Sequence, residues 1–290
     1  MFCYRLYGKY IMINVRLPLL DNIDNCGKYD LNVNVSFANI TGDTISVKAE
    51  GPLYIVELEP LAVYHIDPTN NIITCKAQNF ESFFSTFFNI PFSIYCLCKN
   101  EILYHACSLI YDNKLLCLTG DKGVGKSTVM QILNSKNEFR IFSDDTVYID
   151  NDFKAFCAHN LVKQTSETVE ALGLKTLNIK NAAGKYYSYF DNCYVPTEIN
   201  KIFHLSRINN NQFLLKPIHN QLIKNNIFRA NIVGSTHVPH SLLSKILKIR
   251  PDSRIEFYEL SVPNDLNLLI NGSETLKNLI INSFERDLHQ

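Results

Sequence analysis

The chain has 290 residues with 28 basic and 28 acidic side chains, so its formal net charge is zero and no general attraction to nucleic acid or an anionic membrane is expected. An apolar share of 46% against 19% charged residues is that of a globular chain able to bury a large core in one or two domains, and it excludes a disordered one. No run approaches the roughly eighteen uninterrupted apolar residues of a spanning helix, and Arg5 and Lys9 interrupt the early apolar stretch where a cleavable signal would lie, so a cytosolic protein is expected.

Residues 1–90 are predicted to form a separate, mostly β module. Leu31, Val33, Val35 and Phe37 alternate with polar neighbours, the period of a half-buried strand. Gly42-Asp43 marks a turn before a strand over 44–48. Further strands are predicted over 54–58, 62–66 and 72–75, separated by Pro60 and by the polar run 67–71. Nothing in this module carries chemistry, and His65 reads as a surface or packed imidazole. Asn79 then caps a helix bearing Phe80, Phe83, Phe84, Phe87 and Phe88 at helical spacing. That aromatic stripe is expected to pack the module onto the rest of the chain, with Pro91 ending the helix. Residues 94–98 read equally as a strand or a buried helical turn.

The nine cysteines are scattered and odd in number. Cys96, Cys107 and Cys117 fall in apolar runs, where a free thiol behaves as a small hydrophobe, and Cys96-x-Cys98 lacks the spacing and partners of a zinc site. Core thiols in a reducing compartment are expected.

Residues 102–111 and 114–119 are predicted to pair across Asp112-Asn113, a two-residue turn suited to a hairpin. The second strand runs into the chain's most informative stretch. Gly120, Asp121, Lys122, Gly123, Val124, Gly125, Lys126 and Ser127 complete the pattern G-x-x-x-x-G-K-[ST], which with the following Thr128 is the candidate nucleotide-binding segment, an apolar strand standing before it and a helix pattern, Ser127 to Asn134, after it. The glycines let successive N–H groups curl inward around phosphate oxygens at a helix N-terminus. Lys126 would reach the β- and γ-phosphates and the Ser127 hydroxyl would hold Mg²⁺. A strand over 139–143 ends at Asp144 and Asp145. Ligands of open α/β sheets sit beyond the carboxyl ends of strands, so the pair should lie beside the loop, one carboxylate for the cation and one for the proton of an attacking hydroxyl.

Beyond the pair, 146–149 continues as strand, 160–164 reads as loop, and Ser166 caps a short helix to Leu172 on which Glu170 is an exposed position. Lys185, in a strand-like run over 184–190, is a candidate second cation. Strand 201–206 follows, and then helical patterns over 221–247 and 275–284 with a strand over 257–262 between them. Arg207, Arg229 and Arg250 are unranked candidates for charge on a phosphoryl transition state. The run 234–240, with two histidines, matches no metal motif.

The run Tyr104-His105-Ala106, the hairpin, the loop and Phe142-Ser143-Asp144-Asp145 together resemble the core of HPr kinase/phosphorylases and their relatives, which share a phosphate-loop fold with phosphoenolpyruvate carboxykinases. The opening, Tyr4 to Gly8 with Leu17 to Leu20, is similar to the peptide-modifying branch, some of whose members phosphorylate the C-terminal serine of lasso-peptide precursors. The resemblance implies an α/β phosphate-loop, phosphoenolpyruvate-carboxykinase-like catalytic domain over 91–290, ATP and Mg²⁺ as cofactors, and a hydroxyl-bearing peptide or protein as substrate. It implies Lys126 at the phosphates, Ser127 and Asp145 at magnesium, Asp144 as catalytic base and His105 as a neighbour that orients or tunes the pair. Lys122 stands where a small residue is common, and Ala106 replaces the glycine of true HPr kinases. Their second signature is only echoed by Glu170 to Gly173, which argues against HPr as substrate and against phosphorolysis. A small-molecule or carrier kinase and a nucleotide-binding switch that hydrolyses ATP are the alternatives, and an oligomer stays open.

Overall fold

The computed structural model of the protein describes residues 1–20, 22–23, 27–177, 179–181, 184–191 and 195–285. Its elements, in chain order, begin with strands β1 (Phe2–Leu6), β2 (Lys9–Ile13), β3 (Leu31–Phe37), β4 (Ile45–Glu50), β5 (Leu53–Leu58), β6 (Ala62–Asp67) and β7 (Ile72–Ala77), then helices α1 (Phe80–Phe87) and α2 (Ile90–Cys98). There follow β8 (Ile102–Tyr104), β9 (Cys107–Tyr111), β10 (Lys114–Thr119), α3 (Lys126–Asn134), β11 (Phe139–Ser143), β12 (Val147–Ile149), β13 (Lys154–Cys157), β14 (Leu161–Gln164) and α4 (Ser166–Leu172). The chain closes with β15 (Tyr186–Tyr189), β16 (Thr197–Ile208), β17 (Leu214–Pro217), α5 (Gln221–Ala230), α6 (His240–Lys248), β18 (Glu256–Pro263), α7 (Leu266–Asn271) and α8 (Ser273–Glu285). Two compact units result: Met1–Tyr104 with Tyr148–Asp152 and Ile232–Arg250, and His105–Val147 with Phe153–Asn231 and Pro251–Gln290.

In the first unit seven strands form one sheet in the order β1-β2-β3-β7-β6-β5-β4. Leu31, Val33 and Val35 point into the core as their alternation requires, whereas Phe37, the last of the series, is 49% exposed at the strand end. The Asn79 side chain accepts from the Ser82 N–H and caps α1. Phe83 and Phe87 are buried, and the aromatic stripe packs within this unit, Phe87 against Tyr64 and Phe88 against Tyr7 and Phe92. Pro91 does not end α1. It sits in the first turn of α2, where its missing N–H is one that no helical carbonyl would have bonded. The ambiguous stretch 94–98 is therefore helical, and its buried side chains give no periodicity because both faces are covered. Among the described residues, the cysteines at 75, 96, 98, 107, 117 and 157 are free thiols. Cys3, buried in β1, departs from the all-thiol expectation, being disulfide-bonded.

The second unit is built on a mixed sheet. Running through neighbours, β11, β9, β10, β16, β18 and β17 are hydrogen-bonded in that order, and β13 also pairs with β16. The β10–β16 and β16–β18 pairs are parallel, so three central strands end on the same edge. Leu116, Leu118, Phe203 and Leu260 on these strands share a buried cluster with Val129, Met130 and Leu133 of α3 and with Leu276 and Ile280 of α8. The hairpin β9–β10 turns at Asp112 and Asn113, with φ of 45° and 59° as a tight primed turn demands. The run 102–111 is not continuous strand: it breaks at His105 and Ala106. Residues 161–164, read as loop, form β14, which pairs with β15. The helix α4 is capped by Thr165, not Ser166; the Thr165 Oγ1 accepts from the Thr168 N–H at 3.3 Å. No described helix is long and apolar enough to cross a membrane.

Candidate functional site

The strand β10 ends at Thr119 and the glycine loop turns across the sheet edge. Gly120, Gly123 and Gly125 all have positive φ, at 134°, 86° and 92°. Two of these positions also exclude a side chain by contact. A Cβ on Gly120 would lie 2.7 Å from the Leu205 carbonyl oxygen of β16, and one on Gly125 2.0 Å from a guanidinium nitrogen of Arg207. Gly125 is the residue before α3, so the first N–H groups of that helix open onto the loop. The Lys126 side chain folds back over the loop, its ammonium donating to the carbonyls of Gly120 at 2.8 Å and Asp121 at 3.2 Å. Burial holds its pKa below the ordinary lysine value. Asp121, Lys122 and Gly123 are exposed at the tip of the loop and Val124 is half-buried beneath it.

The carboxylate pair divides sharply. Asp144 is 2% exposed; its Oδ1 accepts from the Ser127 hydroxyl at 3.0 Å and the Cys107 thiol at 3.2 Å, and its Oδ2 from the Lys163 main-chain N–H at 2.9 Å. Asp145 takes a φ of 69°, which turns the next side chain away from the first. Its carboxylate is 47% exposed, with His105 Nδ1 3.4 Å from Oδ1 and the Lys163 ammonium 3.2 Å from Oδ2. His105 lies in the break between β8 and β9, fixed by its N–H donating to the Asn231 carbonyl at 2.7 Å. The loop, Lys126, Ser127, Asp144, Asp145 and His105 thus converge on one edge of the sheet.

Electrostatics separate the two acids further. Burial first, then the adjacent Asp145 charge, pushes the Asp144 carboxyl above the ordinary range against the Lys163 hydrogen bond. Desolvation acts on Asp145 in the same sense, but the Lys163 ammonium and His105 outweigh it and bring the group down to about 2. Burial lowers His105, which Asp145 only partly offsets, so it is neutral near pH 7. Burial raises the Cys107 thiol well above its usual value and keeps it protonated, as a donor to Asp144.

The residues suit a small hard cation. Ser127 and Asp144 place a hydroxyl and a carboxylate oxygen together at the mouth of the loop, and no cluster of three His, Cys, Asp or Glu capable of caging a metal exists among the described residues. Mg²⁺ is held in just this way, by one or two protein oxygens and the phosphates of its nucleotide.

Other candidates fall elsewhere. Arg207 lies under the loop, donating from Nε to the Val124 carbonyl at 2.7 Å and from a terminal nitrogen to the Pro263 carbonyl. Arg250 belongs to the first unit and donates to Leu247 and Ile249 carbonyls of its own turn. Arg229 ends α5, Glu170 is exposed on α4, and Lys185 precedes β15 with its N–H on Asn181. Sequence reasoning missed Lys163, because its segment reads as loop, and Cys107, because one thiol in an apolar strand reads as packing.

No family model matches the chain, and no curated protein does. Among solved structures, the Hpr(Ser) kinase/phosphatase from Coxiella burnetii aligns with 63% of this chain and 97% of its own, at 13% identity and a TM-score of 0.34.

Proposed function

We propose that the chain is a phosphotransferase that takes the γ-phosphoryl group of ATP, with Mg²⁺, to a hydroxyl, in the first instance a serine of a peptide or protein. The observation that carries this reading is the hydrogen bond from Ser127, the last residue of the glycine-loop motif, to the buried Asp144. A hydroxyl and a carboxylate so joined beside a phosphate-binding loop are the parts that hold the magnesium of a nucleotide. The serine acceptor is supported by the resemblance of the His105-to-Asp145 motifs and by no contact in the site.

The N–H groups at the start of α3 and the Lys126 ammonium bind the polyphosphate. Ser127 and Asp144 would hold Mg²⁺, which when bound neutralises charge on the phosphates. Asp145, open to solvent beside a neutral His105, receives the proton of the incoming hydroxyl as its oxygen bonds to phosphorus and the bridging oxygen leaves with ADP. This division of the acids reverses the one the resemblance alone implies, in which Asp144 is the base. The placement of the two acids supports the reversal: Asp144 Oδ1 bonds Ser127, the hydroxyl that would share the cation, while Asp145 is the acid exposed to an entering acceptor. With a loose transition state the proton moves late, so a weakly basic carboxylate suffices.

Incubation with γ-labelled ATP, Mg²⁺ and serine-bearing peptides tests the reading. Asp145→Asn is expected to abolish labelling while nucleotide binding by calorimetry persists. Labelling at the wild-type rate in that variant would remove Asp145 as proton acceptor, and no ATP binding by the wild type would remove the phosphotransferase.

A further inference from the structure

Lys163 touches both acids of the pair, in two different ways. Its main-chain N–H reaches Asp144 Oδ2 at 2.9 Å, and its ammonium reaches Asp145 Oδ2 at 3.2 Å. The first contact follows from the ladder. Lys163 faces Tyr187 across β14–β15, but Tyr187 gives its N–H to the Ile179 carbonyl and its own carbonyl to the Leu177 N–H. The pair is therefore one that exchanges no hydrogen bonds, and the Lys163 N–H points away from β15 toward the acids. Val162, the preceding residue, lies in the buried cluster with Val129 and Met130 of α3, which anchors the strand beside the helix that carries Ser127. Successive side chains of a strand alternate, so an anchored Val162 sends Lys163 to the other face.

We propose that Lys163 is the positioning residue of the carboxylate pair: its main chain keeps Asp144 on Ser127, and its ammonium keeps Asp145 turned outward beside His105. This rests on the phosphotransferase reading for its consequence but not for its geometry. An ion pair with side chains 30% and 47% exposed contributes little stability by itself. What sets this one apart is that the same residue fixes the buried acid next door, so loss of the ammonium frees one carboxylate only. Without that cation, Asp145 keeps His105 beside Oδ1 but loses the group that holds Oδ2, and is free to turn toward the Ser127–Asp144 end, where it would compete as a ligand.

The two contacts can be separated by substitution. Lys163→Met keeps the N–H and removes the charge; Lys163→Arg keeps both. In ATP turnover with Mg²⁺, Lys163→Met is expected to lower kcat about 10- to 100-fold, part of the roughly 10²- to 10⁴-fold that a positioned proton acceptor supplies, with the nucleotide Kd changed by less than about threefold. Lys163→Arg should recover most of the loss. An unchanged kcat in Lys163→Met overturns the proposal, as does an arginine variant as impaired as the methionine one. A second readout needs no activity. The side-chain carboxyl ¹³C signals of Asp144 and Asp145 at pH 7, assigned with Asp144→Asn and Asp145→Asn, should show the Asp145 signal shifted in Lys163→Met and the Asp144 signal in place. An unmoved Asp145 signal overturns the proposal whatever the protein catalyses. A moved signal in a protein that binds no nucleotide keeps Lys163 as positioning residue and sinks the phosphotransferase.

Discussion

Ser127 Oγ donates to Asp144 Oδ1 across 3.0 Å, tying the first turn of the helix after the glycine loop to the end of a strand 17 residues further on. Three donors converge on this carboxylate, yet burial leaves its pKa above the ordinary value. The sign of the consequence is opposite to that of a typical salt-bridged acid. A folded pKa above the unfolded one means the folded state binds the extra proton, so the group's contribution to stability declines as pH rises from the unfolded carboxyl value through the folded one.

Asp144→Asn should therefore behave as a site substitution that stabilises. At pH 7 in EDTA the variant is expected to melt higher than wild type, while Mg²⁺-dependent ATP turnover falls by about 100-fold or more. Differential scanning calorimetry and a coupled ADP assay on one preparation check both halves. A lower melting temperature together with intact turnover would refute the assignment of Asp144 to the cation.

Lys126 gives a separate handle on the loop. Its ammonium donates to Gly120 and Asp121 carbonyls, so the side chain is already folded back onto the loop. Lys126→Ala is expected to weaken nucleotide binding at least tenfold, about 1.4 kcal/mol, measured by calorimetry with a non-hydrolysable analogue. Unchanged affinity would count against the loop as a phosphate site.

What could be read from the sequence was local, and what could not was set by distant contacts. The loop with its strand and helix was legible because glycine, lysine and serine at fixed spacing have a backbone reason. So was the turn at Asp112-Asn113, whose residues suit positive φ. The placement of Asp144 and Asp145 on the loop's edge followed from the rule that strand ends hold ligands. Which acid faces Ser127 did not follow, because it turns on the φ of 69° at Asp145. Lys163 was invisible for a related reason: a four-residue strand whose burial pattern mixes both faces carries no clean period. Pro91 misled because proline both follows helices and opens them, and here it opens α2 in its first turn.

Arg207 illustrates the same limit and yields a prediction. Sequence offered it as a charge for the transition state; the structure puts its guanidinium against Gly125, with Nε on the Val124 carbonyl and another nitrogen on that of Pro263. Burial lowers its pKa without neutralising it in the working range. A residue so engaged shapes the loop. Arg207→Ala is expected to raise the nucleotide Kd about tenfold, near 1.4 kcal/mol, and to leave kcat at saturation within about threefold. A transition-state cation would do the reverse, losing about a thousandfold in kcat at constant Kd. Gly125→Ala should be worse than either, since its Cβ would sit 2.0 Å from the Arg207 nitrogen at a φ of 92°.

The acid stability of the second unit should be governed by His159, which stands outside the proposed chemistry but close to Lys163. Its Nδ1 accepts from the Leu161 N–H at 3.2 Å, and burial, aided by the Lys163 charge, lowers its pKa to about 4 against 6.5 for the free side chain. The unfolded chain therefore takes up its proton first as pH falls. The contribution of the neutral ring is complete above pH 6.5 and is lost progressively as the pH drops to about 4, at most about 3 kcal/mol over that interval. Asp145 acts in a different window, because its folded value of about 2 lies below the unfolded 3.8; its contribution persists above 3.8 and is lost only toward about 2. His159→Asn keeps an acceptor for the Leu161 N–H and cannot be protonated. Urea titrations at pH 7.5, 5.5 and 4 should show wild type losing stability faster than His159→Asn across the three, with the Asp145→Asn difference unchanged over the same range. A gap between wild type and His159→Asn that stays constant from pH 7.5 to 4 would mean that the histidine is not held neutral by its surroundings.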